Sequence, residues 1–202
     1  MSDQFVHLHL HSQYSLLDGA IKFDELFDEV EKQGMSSVAL TDHGNLFGAY
    51  DFYKKAKDKG IKPIVGCELY IAKDHLNKSS ENNKTHHLTV LAKNLQGYEN
   101  LCTLVSIGHL KGFYRKPRID RKLLFEYSDG LIVLSGCLNG EVCHNILKGR
   151  KDEAIKIAAE YKNILGDRYF IEIQGTCLKE QVRVNKVLKE IAKKLDIKVV
   201  AT

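Results

Sequence analysis

The run Phe5-Val6-His7-Leu8-His9-Leu10-His11 places three imidazoles on one alternation and Val6, Leu8 and Leu10 on the other. Successive side chains of a β-strand point to opposite faces, so Phe5–Leu10 reads as a strand with an apolar face and an imidazole face. A core rejects a row of polar rings unless each finds a partner. Histidine is also the commonest metal ligand. The strand is therefore expected to be the first wall of a metal site.

Beyond this run, strand-like and helix-like segments alternate. Ser37–Leu40, a strand within Ile61–Ala72, Leu88–Ala92, Leu131–Leu134, Tyr169–Ile173 and Lys198–Ala201 read as further strands. Helical spacing links Phe23, Leu26, Phe27 and Val30, with Asp24 and Glu25 at the favourable end of the dipole and Gly34 as the stop. The stripes Leu46, Ala49, Tyr50, Tyr53, Ala56 and Ala154, Ile157, Ala158, Tyr161, Leu165 read the same way. So do Val184, Val187, Leu188, Ile191, Leu195, and the segment Tyr98–Leu110. Lys73–Thr85 is polar and reads as an exposed loop. Apolar strands alternating with helices predict an α/β fold built from parallel βα units, and the number of strands favours a barrel over a small open sheet. A full α/β barrel usually takes ~250 residues. This chain has 202 and stops on the strand-like Ile197–Thr202, so a piece cut from a longer protein is expected.

The composition, 44% hydrophobic and 28% charged, is that of a globular chain, and the net charge of +4 permits an anionic partner without demanding one. Five cysteines with no Cys-x-x-Cys pair suit a reducing compartment, which predicts a cytoplasmic location. No apolar run approaches the roughly 20 residues that span a bilayer, so no membrane association is expected.

Metal-capable residues recur where strands meet the following turns. His9 and His11 lead to Asp18; Thr41-Asp42-His43-Gly44 follows the second strand; Gly66-Cys67-Glu68 follows the third. His86-His87 opens the fourth and Ser135-Gly136-Cys137 closes the fifth. In α/β folds functional groups gather at the carboxyl ends of strands, so these residues are expected on one rim. Imidazole, carboxylate and thiolate together suit zinc or manganese. Closely spaced ions can clamp a phosphoryl group and activate a bound water, the expected catalytic species here. Asp42 is expected to orient a neighbouring ligand, and His7 to lie behind the ligands or to pack. His75, His109 and His144 read as ordinary, and Cys67, Cys102, Cys143 and Cys177 as small buried groups. Glu172 points opposite to Ile171 and Ile173; it either supports the site or pairs with a lysine. The Lys111–Lys122 segment mixes cations with Phe113 and Tyr114, which makes Arg115, Lys116 and Arg118 candidate nucleic-acid contacts against the plainer reading of a solvated loop.

With these residues in place, the chain resembles the PHP (polymerase and histidinol phosphatase) domain family, in the branch at the amino terminus of bacterial DNA polymerase III alpha subunits. The likeness rests on Phe5–Ala20, on Ala39–Ala49, on Gly60–Glu68, on His87–Asn94 with Gly97–Leu101, and on Leu134–Glu141. It implies one PHP domain over residues 1–202, a distorted (β/α)7 barrel truncated at its C-terminal end. It implies up to about three divalent metal ions, with His9, His11, Asp18, His43, Glu68, His87 and Cys137 as ligands; the pattern selects His87 over His86. It further implies a parent DNA-directed DNA polymerase of DNA replication, a nucleotidyltransferase acting on a primer 3′ end of DNA alongside other replicase subunits. The metal site would serve a 3′–5′ exonuclease or phosphoesterase. A free-standing phosphoesterase like histidinol-phosphate phosphatase, or a non-catalytic docking domain, are the alternatives. The family's Asp-x-His ligand pair and the polymerase core would lie past Thr202, so little activity is expected from these residues alone.

Overall fold

The computed structural model describes residues 5–16, 18–80 and 83–202. Leu17, in the stretch read as carrying the first acid, and Glu81 and Asn82, within the polar loop, lie outside the described residues. Seven strands form one sheet: β1 (Ser37–Leu40), β2 (Lys62–Ala72), β3 (Thr85–Ala92), β4 (Arg118–Asp120), β5 (Leu131–Leu134), β6 (Tyr169–Ile173) and β7 (Val199–Ala201). The order is β1-β2-β3-β5-β6-β7, with β4 attached to β2. The helices are α1 (Phe23–Lys32), α2 (Ala49–Asp58), α3 (Leu95–Leu110), α4 (Arg121–Glu126), α5 (Glu141–Leu147), α6 (Lys151–Leu165) and α7 (Lys179–Leu195).

The sheet curls as a half-barrel, and two expectations about it change. First, Phe5–Leu10 is no regular strand. It runs beside β1 with only part of a ladder: the Ala39 and Thr41 amides donate to the carbonyls of His7 and Leu10, both at 2.8 Å. Leu8 packs into a small inner core with Ala39, Leu91 and Leu134, joined by Phe170 and Val200 from the far side of the curl. This segment thus lies inside the curl, where its histidines meet side chains from distant strands. Second, β3 is antiparallel to both β2 and β5, while the remaining pairings are parallel. Among the described residues no α-helix separates β2 from β3, and an antiparallel neighbour needs none. The reversal carries the start of β3, with His87, to the rim reached by the ends of β1 and β5.

Two apolar layers hold this frame. Phe23, Leu26, Phe27 and Val30 of α1 are all buried, as their spacing predicts, and pack with Phe52, Ala56, Val38 and Leu40. Burying a ring such as Phe27 or Phe52, both 0% exposed, contributes about 1.5–3 kcal/mol each. On α2 the buried stripe is Ala49, Phe52 and Ala56, and Tyr50 and Tyr53 are exposed instead. A shift of one residue moves a helical position by 100° or so, and Phe52 outcompetes the amphipathic tyrosines for the core. The larger core joins β2, β3, β5 and β6 to α3, α5, α6 and α7, with Leu101, Leu104, Ala158, Val184 and Leu188 wholly buried. All five cysteines are free, but Cys177 is exposed and Cys102 only partly covered, so the buried role holds for Cys67 and Cys143.

Candidate metal centre

Glu68 lies in the interior of β2 rather than at its end. β2 pairs with β1 through Val65 and with β3 from Gly66 onward, so Glu68 sits where the two ladders hand over. Its amide donates to the Asp42 carbonyl (3.1 Å), and its carbonyl accepts from Gly44 (2.9 Å). Gly44 takes φ +60°, and a Cβ there would meet Pro117 and the Tyr70 ring, so the turn after His43 requires glycine.

The Glu68 carboxylate, 1% exposed, is the hub of the site. Oε1 lies 2.8 Å from His87 Nδ1 and 3.4 Å from His9 Nε2. Oε2 touches His43 Nδ1 and lies 3.6 Å from His11 Nε2. The Cys137 thiol is 3.7 Å from both Glu68 Oε1 and His87 Nδ1. The His11 and His43 rings stack with centroids 4.0 Å apart. Segments distant in sequence thus bring four imidazoles, a carboxylate and a thiol together.

Groups behind the rings fix which nitrogen faces inward. His9 Nδ1 donates to Glu172 Oε1 at 2.6 Å, which leaves Nε2 toward Glu68. Glu172 is in turn held by the hydroxyls of Thr89 (3.1 Å) and Thr202 (2.8 Å). Glu172 therefore supports the site, the first of its two readings. His11 Nδ1 lies 3.4 Å from the Ser15 hydroxyl, which donates to Asp42 at 2.7 Å. Asp42 also accepts from the amide and hydroxyl of Ser12. A carboxylate or hydroxyl behind His9 and His11 is the arrangement by which metal-ligating imidazoles are oriented.

The charges in the cluster are tightly balanced. Burial pushes the Glu68 carboxyl up, but hydrogen bonds from His43, His87 and His9 outweigh it and hold the group far below the carboxylate range. Burial opposes charge on His9, yet Glu172 and Glu68 overcome it and raise its pKa to about 10. Burial, aided by His43 and His9, lowers His11 to about 4 against the pull of Glu68. Burial, then Glu68, pushes the Cys137 thiol up to about 12, so it becomes a thiolate only when a cation arrives.

Two observations fit this donor set to divalent ions. His43 Nδ1 and Glu68 Oε2 are buried against each other with no further hydrogen-bond partner, so the carboxylate keeps acceptor capacity that a cation would use. Also, His9–His11–Glu68 and His43–Glu68–His87 each offer ligand atoms within 4.8 Å of one another and share the carboxylate.

The remaining expected residues divide. Asp18, 63% exposed, reaches the site only from outside, at 2.9 Å from His43 Nε2. His7 meets the Phe5 ring edge-on, with centroids 4.9 Å apart. His86 lies on the face of β3 opposite His87, its Nδ1 3.3 Å from the Asn139 carbonyl. Arg115 and Lys116 are exposed, and Lys116 Nζ sits 4.3 Å over the ring of Tyr70. Tyr70 flanks His87 (5.2 Å) and His43 (6.1 Å), so this cation stands at the mouth of the site. Arg118 corrects its expectation: it is 0% exposed and donates to the carbonyls of Gly112 and Asn77, stapling loops rather than meeting a strand. Thr89, Ser12 and Ser15 escaped notice because hydroxyls in apolar or loop sequence carry no distinctive pattern; Thr89 alone had a signal, sharing His87's face two residues on. Among the described residues no helix is long and apolar enough to cross a membrane.

The profile of the PHP domain matches residues 7–176. Curated relatives include the DNA polymerase III subunit alpha of Thermus aquaticus, 49% identical over 98% of this chain and 17% of that protein. The DNA polymerase III subunit alpha of Aquifex aeolicus (strain VF5) is 46% identical over 100% of this chain and 18% of that protein. The chain thus spans less than a fifth of the relatives it matches. Among solved structures, a proposed metal-dependent phosphoesterase from Bifidobacterium adolescentis superposes with a TM-score of 0.59 at 14% identity, over 98% of this chain and 86% of that one. An amidohydrolase from Chromobacterium violaceum, with sulfate bound and no metal, gives 0.58 at 14% identity over 96% and 84%. These two likenesses concern the fold.

Proposed function

The chain belongs to the PHP domain family, and from that premise we propose that its Glu68 centre is a divalent-metal site, for zinc or manganese, that hydrolyses a phosphodiester at the 3′ end of a DNA strand. The setting we propose is the alpha subunit of a bacterial DNA polymerase III, a cytoplasmic DNA-directed DNA polymerase with primer DNA and other replicase subunits as partners. Identity of 45–49% to such subunits along the chain supports that setting. The observation that carries the hydrolytic reading is the single buried carboxylate shared by four imidazoles.

In this reading His9, His11 and Glu68 would hold a divalent ion, and so would His43, Glu68 and His87, with the Cys137 thiol beside His87 as a further donor. Such ions act as Lewis acids on a phosphoryl oxygen and supply a water-derived nucleophile near neutral pH. The chain's own groups position and steer. Glu172 and Thr89 hold His9 with Nε2 inward, and Ser15 and Asp42 do the same for His11. Asp18 braces His43 from the solvent side, where it can also ligate. Lys116 over Tyr70, with Arg115 beside it, presents positive charge to an approaching phosphate.

The test uses this chain, and a longer polypeptide that carries it, with manganese or zinc and a primer ending in a mispaired 3′ nucleotide. Metal-dependent shortening that disappears in His9→Asn/His11→Asn is the expected result. Shortening that survives both substitutions unchanged removes the assignment.

A further inference from the structure

Among the described residues, one group of cations outside the metal centre forms no ion pair with a carboxylate. Lys84 Nζ donates to His144 Nε2 at 2.5 Å, and the His144 and His86 rings lie 5.0 Å apart. Lys148 caps the end of α5 and Arg150 opens α6, both fully in solvent. Lys148 follows His144 by one helical turn, its amide donating to the His144 carbonyl (3.1 Å), and the Arg150 amide donates to the Asn145 carbonyl (2.9 Å). Burial, then the charges of Arg150 and Lys148, hold the Lys84 ammonium below its ordinary pKa. His144 is lowered in the same way, by burial and then by Lys84, Lys148 and Arg150.

Elsewhere on this surface some lysines find carboxylates and others stand alone in solvent, but the others do not face one another as these cations do. Lys55 pairs with Asp24, Lys59 with Asp28, Lys151 with Glu190, Lys156 with Glu153 and Lys162 with Asp167. Among the described residues none of Lys84, Lys148 or Arg150 has such a partner. Like charges gathered without a counter-ion repel, and a bound polyanion relieves them.

The patch adjoins the metal centre. His86 is the chain neighbour of His87, and the Asn139 carbonyl accepts from the His87 amide (3.1 Å) while facing the His86 ring. Asn139 is two residues from Cys137. We propose that Lys84, Lys148 and Arg150, backed by His86 and His144, dock the phosphate backbone of a single-stranded nucleic acid whose end lies in the Glu68 centre. The choice of a nucleic acid over another polyanion rests on the phosphodiester reading of that centre.

The experiment is fluorescence anisotropy of a labelled oligodeoxythymidylate with this chain, in EDTA, across a range of salt. EDTA separates strand docking from any contribution of metal. Lys84→Ala/Lys148→Ala/Arg150→Ala is expected to bind about tenfold or more weakly at low salt. Its slope of log K against log salt should be shallower by roughly 2, since each phosphate contact on a single strand contributes about 0.7. All three residues are exposed, and an unchanged melting temperature verifies that the variant folds. Wild-type affinity and slope in the triple variant overturn the patch. A polyglutamate peptide that competes as well as the oligonucleotide overturns the nucleic-acid assignment. Patch-dependent binding together with no shortening of the strand by the metal-loaded longer polypeptide that carries this chain supports the docking patch and removes only the hydrolytic reading.

Discussion

Two clusters of histidine and carboxylate stand on this molecule, and only one has the marks of a metal centre. Around Glu68, four rings and a thiol share one buried carboxylate, and His43 Nδ1 and Glu68 Oε2 press on each other with no further hydrogen-bond partner. Around Asp120, the side chains of Asp74 and His75 also offer ligand atoms within 4.8 Å. There, however, the donors are already in use. Asp120 Oδ2 accepts from the ring (2.5 Å) and amide (3.2 Å) of His75, and Oδ1 caps α4 through the Leu123 amide (2.9 Å). Arg118 draws the same loop down through the Asn77 carbonyl (3.1 Å). One set of residue types forms a crowded cage in the first place and a saturated clasp in the second. What separates them is the number of imidazoles converging on one buried carboxylate, not the identity of the residues.

The largest test of that contrast replaces the hub. Glu68→Gln keeps the shape but removes the charge shared by four imidazoles. Metal content measured by elemental analysis after manganese or zinc loading should fall to background, a loss greater than the ~10–100-fold typical for a residue behind a ligand. The rise in melting temperature that metal confers on the wild type should vanish with it. Wild-type metal content in Glu68→Gln breaks the shared-carboxylate reading. Next in size is Glu172→Gln, which leaves every proposed ligand in place but weakens the group that orients His9. Affinity should fall about 10–100-fold with unchanged stoichiometry, read by calorimetry. An unaltered affinity would mean that His9 needs no such brace.

How far this contrast could be read from sequence depends on the residue. His9 and His11 were legible because strict alternation survives in an extended segment even where the ladder is incomplete. Glu68 was legible as a candidate, but its central place was not: that follows from β2 being paired on both sides over different stretches, which apolar runs do not report. Residue pattern left His86 and His87 open, because both open a strand, and only the reversed direction of β3 sends His87 inward. The reversal itself had a signal, since no helical stripe lies between β2 and β3. Tyr50 and Tyr53 fitted a helical stripe as well as Phe52 does, and packing decided for Phe52. His75 looked ordinary, and no local pattern ties it to Asp120, 45 residues away.

The clasp should respond as structure rather than as a site. Asp120→Ala deletes a helix cap and the acceptor of two His75 groups. A lost cap typically costs about 1 kcal/mol, and with the second contact the total should reach about 1–2 kcal/mol. In a chain of this size that lowers the melting temperature by a few degrees. Metal stoichiometry should be that of the wild type. One ion fewer per chain in Asp120→Ala would turn the clasp into a site.

The smallest effect is a pH dependence that differs between the two clusters. Burial raises the Asp120 carboxyl, but hydrogen bonds from the His75 ring and from the Leu123 and His75 amides outweigh it and lower its pKa. A carboxyl whose pKa is depressed on folding stabilises the fold above its unfolded value, about 3.9, and loses that contribution as pH falls through the folded value. The group is only partly covered, so solvent screens much of the gain. The melting gap between wild type and Asp120→Asn, both metal-free, should therefore hold steady from neutral pH down to about 5 and close below about 4. The Glu68 centre should behave oppositely in timing, because its imidazoles must shed protons to ligate. Bound metal should loosen as pH falls through the range where His9, raised to about 10, and His43, raised by Glu68 and Asp18 against burial, take up protons, long before the clasp weakens. A melting gap that closes together with metal release would show that the two clusters are one linked unit, and the distinction between cage and clasp would fail.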